Sequence, residues 1–315
     1  MNCRVLDAEQ VAAATPWVPL IDAIRDAFRE GGEAPVRHHH TVPAGDDPDL
    51  TLLLMPAWNS NGDFGIKVIN VAPANAARGL PTLHGVYLLF DGHTGVPRAM
   101  LDAGALTARR TAAASALASR SLSRADARRL LILGTGRVAE QLALAHCAVR
   151  PIEEVLVWGR RRERAEHLAG VLANALQRPC HAVDELEAGA ADADVISAAT
   201  SARSPLLRAQ WIAPGTHVDL VGAFTPEMCE AEPALIARAD QVVVDTIEGA
   251  REEAGELIQA ERAGVFSFSD VSADLYQLCA ADAPLRRHDD DVTLFKSVGT
   301  ALEDLAAAQL CLRTN

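Results

Sequence analysis

Residues 130–145 read LLILGTGRVAEQLALA, and within them Gly134, Gly136 and Ala139 stand at the spacing of a GxGxxA turn. In such a turn the first glycine permits a tight bend. The second lets backbone approach a pyrophosphate, and the alanine keeps the following helix close to the sheet. N–H groups at the helix start, around Thr135, Gly136, Arg137 and Val138, would face phosphate oxygens. An apolar run precedes the turn and a helical pattern follows it, which is the context a dinucleotide site requires. The other reading is a tight turn in an α/β fold with no cofactor.

The next strand pattern bears on which dinucleotide. It ends Trp158-Gly159-Arg160-Arg161-Arg162. A site for NAD usually carries an acid at this strand end for the ribose hydroxyls. Here three cations stand instead, and guanidinium pairs with a 2'-phosphate through two parallel hydrogen bonds. NADPH is the expected cofactor, with NADH possible and Arg160 and Arg161 as the phosphate ligands. The competing reading is a solvated helix start.

A second set of cations points to a small acid. Lys67 lies in GIKVINVA, on the same face as Ile69 and Val71 if the run is a strand. A lysine in so apolar a strand needs an anion or a route to water. Arg109 and Arg110 follow Thr107, a good N-cap, which would set Arg110 in the first helical turn, where the macrodipole disfavours a cation. A carboxylate or phosphate held by both arginines would explain the placement, and so would plain exposure. Arg37 precedes His38, His39 and His40. Neighbours in a strand point to opposite faces and no HExxH or Cys/His spacing accompanies them, so no metal site is expected. No GxSxG or paired carboxylates stand out either.

These residues must be positioned by regular elements. The first 25 to 30 residues read as one helix with Val18, Ile21, Ile24, Ala27 and Phe28 on a common face, stopped by Gly31-Gly32. TLLLMPAW, FGIKVINVAP, LHGVYLLFDG and PRAMLDA read as strands of one sheet. An alanine-rich helix follows over 104–122. Then RRLLILGTG, EEVLVWGR, ADVISAAT, THVDLVGA and QVVVDT alternate with helical segments, the pattern of a parallel, doubly wound sheet. The final stretch, DDDVTLFKSVGTALEDLAAAQLCL, opens with acids and reads on as helix.

The chain has 315 residues, 49% hydrophobic, enough for a large core and two domains. Its formal net charge of −13 argues against nucleic acid and anionic membranes as partners. No apolar stretch reaches the roughly 18 residues of a membrane helix. The opening MNCRVLDAEQ carries no secretory pattern, and the six cysteines are scattered, so a reducing cytoplasm is expected.

Taken in order, PVR (35–37), LLLMPAW, IKVINVAP, GLPTLHGVYLLFDGHTGVPRAMLDAGALTARRTAAASALA, LLILGTGRVA, PGTHVDLVGA and TLFKSVGTALEDLAAA resemble the ornithine cyclodeaminase/mu-crystallin family over nearly the whole chain. The resemblance implies a homodimer of two-domain subunits. A Rossmann domain would span about 119–293, and a substrate and dimerisation domain would combine 1–118 with 294–315. By the same resemblance Arg37, Lys67 and Arg110 match the positions that hold a substrate carboxylate. Phe295-Lys296-Ser297 matches a segment beside the nicotinamide, which makes Lys296 a cofactor candidate. Thr200 matches a cofactor-contacting threonine, and Val221 joins the cofactor set.

One departure separates the branches of that family. Members that deaminate ornithine, and related alanine dehydrogenases, are similar to GxHxNAxGxDxPGK in this region. Here the aspartate's place is taken by Phe224, and Pro-Glu-Met replaces Pro-Gly-Lys. Phenylalanine accepts no proton. VDLVGAFTP instead resembles the branch that reduces cyclic imines, Δ1-pyrroline-2-carboxylate and Δ1-piperideine-2-carboxylate, to L-proline and L-pipecolate. Phe224 would then be a flat apolar wall for an unsaturated ring. His84 departs as well, since many members carry glutamine there. The resemblance leaves two alternatives: a cyclodeaminase that uses bound NAD, and a non-catalytic NADPH-linked binder of small ligands, of the mu-crystallin kind.

Overall fold

The computed structural model describes residues 3–59 and 62–313. The outermost expected domain limits, at residues 1 and 315, lie outside them. The chain forms two compact units, Met1–Arg110 with Thr300–Asn315, and Thr111–Gly299. The division falls at 110/111 and 299/300, against the expected 118/119 and 293/294.

The first unit is built on a seven-stranded sheet. Its strands are β1 (Arg4–Leu6), β2 (Gly32–Glu33), β3 (His38–Val42), β4 (Leu50–Asn59), β5 (Asp63–Val71), β6 (Leu83–Asp91) and β7 (Pro97–Asp102). The order is β1-β7-β6-β5-β4-β2, with β3 also on β4. All pairs are antiparallel except β1 with β7. Alternation along the long strands sets two faces. Met55, Lys67, Tyr87 and Leu101 stand in one cross-strand row, buried on one face. The helices Trp17–Glu30 and Ala301–Arg313 pack on each other, and the latter also lies on β4, β5 and β6.

The expected single N-terminal helix is three elements. After β1 a helix runs from Ala8 to Ala14, with Asp7 accepting from the Gln10 amide as its cap, and Pro16 separates it from Trp17–Glu30. Proline has no N–H to continue the first helix and suits the start of the next. Ile21, Ile24, Ala27 and Phe28 are buried as their spacing predicts, joined by Leu20, while Val18 is exposed. Gly31 ends the helix at φ +75°.

The second unit holds an eight-stranded sheet, parallel throughout. Its strands are β8 (Arg129–Leu133), β9 (Glu154–Trp158), β10 (Cys180–Ala182), β11 (Val195–Ala198), β12 (His217–Leu220), β13 (Gln241–Val244), β14 (Ala273–Asp274) and β15 (Thr293–Lys296). The order is β10-β9-β8-β11-β12-β15-β13-β14. The chain winds outward from β8 to β10 and returns to the other side at β11. The crevice at the strand ends between β8 and β11 is therefore the switch point at which such sheets bind ligands.

The C-terminal stretch departs from the expected continuous helix. Thr293–Lys296 is a strand between β12 and β13, and helix begins only at Ala301. Asp245 holds the link between them, accepting from Ser297 Oγ and from the amides of Val298 and Gly299. β12 carries a buried acid of its own. Asp219 accepts from Ser115 (2.9 Å) and Ser197 (2.5 Å) and meets His146 Nε2 at 3.2 Å. A buried carboxylate needs such partners. They fix the strand whose end carries Val221 and Phe224.

Candidate active-site residues in the two units

In the first unit, Lys67 and Arg110 come together on two carboxylates that sequence reading missed. The Lys67 ammonium lies 2.7 Å from Asp304 Oδ2 and donates to Oδ1 at 3.0 Å. Arg110 donates through Nε to the same Oδ1 at 2.9 Å and through Nη1 to Glu303 Oε2 at 2.5 Å. All four side chains are buried. Lys67 comes from β5, Arg110 from the helix Ala103–Leu122, and both acids from the helix Ala301–Arg313. The clue was available: two adjacent acids inside an alanine- and leucine-rich helix are buried charges that require cations.

Burial pulls the Lys67 ammonium down to about 7. The Arg110 charge adds to that shift, Asp304 opposes it by charge and hydrogen bond, and Arg37 pulls it further down. Arg37 is half-buried in the loop before β3. Tyr87 stands beside Lys67 in register, its hydroxyl buried with no hydrogen-bond partner. Burial, and then Asp304 and Asp63, raise that phenol well above its ordinary value.

Two expectations about the arginines fail. The long helix starts at Ala103, with Asp102 accepting from the Ala105 amide at 2.7 Å, so Thr107 is an interior residue and no cap. Arg110 therefore lies beyond the first turn. Arg109 turns toward Thr15 and Trp17. Its guanidinium bonds the carbonyl and hydroxyl of Thr15 and covers the Trp17 ring at 4.1 Å. Arg109 ties the helix break to the rest of the unit. His38, His39 and His40 are exposed along β3, and among the described residues no His/Cys/Asp/Glu group could hold a metal. His84 is exposed on β6 opposite Asn70.

In the second unit the glycine turn joins β8 to the helix Arg137–Val149. Gly134 has φ +115°, and a Cβ there would lie 2.5 Å from the Ala199 carbonyl oxygen. Only glycine suits that position. Gly136 is the N-cap and brings no side chain to the cap, while a Cβ built on it meets nothing within 4 Å. Thr135 is half-buried, Arg137 exposed and Val138 half-buried along the first turn. An open helix start beside bare backbone fits the pyrophosphate of a dinucleotide. At the end of β9, Arg160 and Arg161 are exposed, and Arg162 is drawn aside by Glu166 and Asp184.

The ends of β11 and β12 are fastened by buried acids. Glu230 Oε1 accepts from the Thr200 amide and hydroxyl, and Oε2 from the Gly222 amide. Lys296, expected beside a nicotinamide, is wholly buried. Its ammonium donates to the Ala223 carbonyl at 2.5 Å and pairs with Glu256 at 3.0 Å. The next residue after Ala223, Phe224, is 52% exposed.

The family model for ornithine cyclodeaminase/mu-crystallin matches residues 1–313. The chain belongs to that family. It is 39% identical over 297 residues to a Δ1-pyrroline-2-carboxylate reductase of Paracoccus denitrificans, covering 92% of this chain and 93% of that one. Its fold resembles Thermococcus litoralis Δ1-pyrroline-2-carboxylate reductase, solved with NADH and L-proline, at a TM-score of 0.92 and 29% identity, covering 99% and 97% of the two chains. The iminosuccinate reductase of Paracoccus denitrificans, solved with NAD+, superposes at 0.88 with 29% identity, covering 100% and 96%.

Proposed function

We propose that this protein reduces cyclic imino acids, Δ1-pyrroline-2-carboxylate and Δ1-piperideine-2-carboxylate, to L-proline and L-pipecolate. It is an oxidoreductase acting on a carbon–nitrogen double bond, and it uses a nicotinamide cofactor. The observation that carries the reading is Phe224. It occupies the lip after β12 with an exposed aromatic ring, where an amino group leaving as ammonia would need a proton-handling side chain. The named reductases among its relatives support the same choice over cyclodeamination.

When bound, the nicotinamide supplies a hydride to the imine carbon. The chain's residues bind and orient. Lys67 and Arg110 are set on Glu303 and Asp304, and Arg37, whose charge acts on Lys67, joins them in the proposed set for one substrate carboxylate. Lys67, held near neutrality, is able to deliver the proton the ring nitrogen requires when the imine arrives unprotonated. Gly134, Thr135, Gly136, Arg137 and Val138 would hold the pyrophosphate, and Thr200 and Val221 the nicotinamide end. Lys296 would act there through the Ala223 carbonyl it holds. The exposed pair Arg160 and Arg161 favours NADPH over NADH.

The protein is proposed to work as a homodimer. The sheet face of the first unit turned away from its helices carries the cross-strand rows Leu54–Val68–Val86, Pro56–Ile66–Leu88 and Trp58–Phe64–Phe90. Trp58, Phe64 and Val86 are exposed. A contiguous apolar face of this kind marks an interaction surface, and a second copy is its proposed cover.

Purified protein, reduced cofactor and pyrroline-2-carboxylate test the reaction. Oxidation of the cofactor with formation of proline is expected. No oxidation, together with ammonia released from ornithine, would overturn the reading.

A further inference from the structure

We propose that Glu230 is a positioning residue, a carboxylate clamp that sets the nicotinamide end of the cofactor site by holding the ends of β11 and β12 together. The inference rests on the nicotinamide cofactor assigned above. It does not depend on which imine is reduced.

Parallel strands are hydrogen-bonded to one another along their length, but their outgoing loops are free to diverge. Here one side chain spans the divergence. Glu230 Oε1 takes the amide and hydroxyl of Thr200 at 2.6 and 2.7 Å, and Oε2 takes the amide of Gly222 at 2.7 Å. Thr200, after β11, is a candidate cofactor residue, and Gly222 follows Val221, another, after β12. The approach is so close that a Cβ on Gly222 would stand 2.1 Å from the Thr200 carbonyl and 2.4 Å from Glu230 Oε1. The glycine is required by the clamp.

A second acid holds the first. The Glu230 amide donates to Glu256 Oε1 at 2.9 Å, and the amides of Leu206 and Leu207 donate to the Glu230 carbonyl. Glu256 Oε2 pairs with Lys296, whose ammonium holds the Ala223 carbonyl. The lip is therefore held at two successive residues, at Gly222 by its N–H and at Ala223 by its C=O. Phe224 comes next. Glu230, Glu256 and Lys296 are fully or almost fully buried. Burying three charges is expensive, and a hydrophobic substitute would serve packing alone as well or better. What a carboxylate adds is direction: two oxygens accepting from donors on two different loops.

The clamp is complete only as an anion. A protonated Glu230 would present a hydroxyl hydrogen toward backbone N–H groups. Burial and then the Glu256 charge push this carboxyl up to about 7, against Lys296 and the Thr200 hydrogen bonds. The Cys229 thiol is the other titratable neighbour, itself raised by burial and by both glutamates. The ionised clamp is present above that value and is lost as pH falls through it.

The test is direct binding of NADPH and NADH by fluorescence to the full-length protein across pH, beside steady-state kinetics. For the wild type, affinity is expected to fall as pH drops through about 7. Glu230→Gln should bind the cofactor about tenfold more weakly, with that pH step absent. Glu256→Gln keeps the clamp and removes the neighbouring negative charge, so its step should move to lower pH. A Glu230→Gln protein that keeps wild-type affinity and the wild-type pH step overturns the proposal, as does an unmoved step in a folded Glu256→Gln protein. Wild type that binds cofactor with the expected pH step and reduces no imine supports the clamp and rejects the reaction instead.

Discussion

Asp304 binds Lys67 and Arg110 at once: Oδ2 lies 2.7 Å from the ammonium, and Oδ1 accepts from the Arg110 Nε at 2.9 Å. The two cations proposed to receive a substrate carboxylate are thus set by an acid from the last helix. Lys67 is about 7 in this setting and serves as anchor or proton donor only when charged. Its folded-state value lies below the ordinary lysine value, so the charged form is present below about 7 and is lost as pH rises through it. The kcat/KM for imine reduction should therefore fall on the alkaline side of neutrality. Asp304→Asn removes the group that raises Lys67, and should move that limb to lower pH by about one unit. A pH–rate profile for both proteins measures it, and an unmoved limb rejects Lys67 as its source.

Arg110 carries a structural duty besides its proposed one. Removing it takes one cation from Glu303 and one from Asp304, inside a buried cluster. Breaking a buried pair from one side costs roughly 3–5 kcal/mol. Arg110→Ala should lower the thermal midpoint and reduce kcat/KM by about a hundredfold. Arg110→Lys restores charge without the two-pronged geometry, and should recover stability more than activity. If Arg110→Ala reduced imines as well as wild type, the arginine would have no part in the site.

At the end of β9 the outcome rests on two exposed side chains. Arg160 and Arg161 have no carboxylate partner among the described residues, whereas Arg162 is held by Glu166 and Asp184. The first two are available to a 2'-phosphate. Replacing both with alanine should raise the KM for NADPH about tenfold and leave that for NADH nearly unchanged. Equal effects on both cofactors would reject the arginines as ligands of the 2'-phosphate.

The strands of the first unit were legible because their alternation is long and clean: TLLLMPAW, FGIKVINVAP and LHGVYLLFDG became β4, β5 and β6. The glycine turn was legible because its constraint is local, and Gly134 indeed takes a conformation and a contact that exclude a side chain. The short strands β10, β14 and β15 were not. β15 passes through Lys-Ser-Val-Gly-Thr into a strongly helical segment, and its place is fixed by pairing with β12 and β13, far away in sequence. The pairing of Glu303 and Asp304 with the candidate cations was hidden for the same reason. Lys67 and Asp304 are separated by 237 positions. Thr107 misled because capping preference is local, while Asp102 already started the helix.

The open face of the first sheet makes a prediction about assembly. Phe64 is stacked on Phe90 at 4.9 Å between centroids, in the row that also holds Trp58. A charge placed there would be tolerated in a monomer and would be buried without a partner in a dimer. Phe64→Glu should sediment as a folded monomer where wild type sediments as a dimer. Wild type that is itself monomeric at micromolar concentration would reject this face as the dimer contact.

Phe224 is the residue proposed to separate imine reduction from deamination in this chain. Its ring is half exposed at the lip, and the two residues before it are held by Glu230 and Lys296. The backbone there is fixed, so a change of side chain tests chemistry with little confusion from loop movement. Phe224→Asp would set a carboxylate beside the proposed ring site. It would remove an apolar wall and add a charge of the same sign as the substrate carboxylate, so cyclic imine reduction should fall about tenfold or more. Cofactor affinity should change little, because the Glu230 clamp is intact. Ammonia release from ornithine by the variant, absent in wild type, would show that one side chain at this lip selects between reduction and deamination. A variant that reduces imines at the wild-type rate would remove Phe224 from the substrate site and with it the observation on which the reductase reading rests.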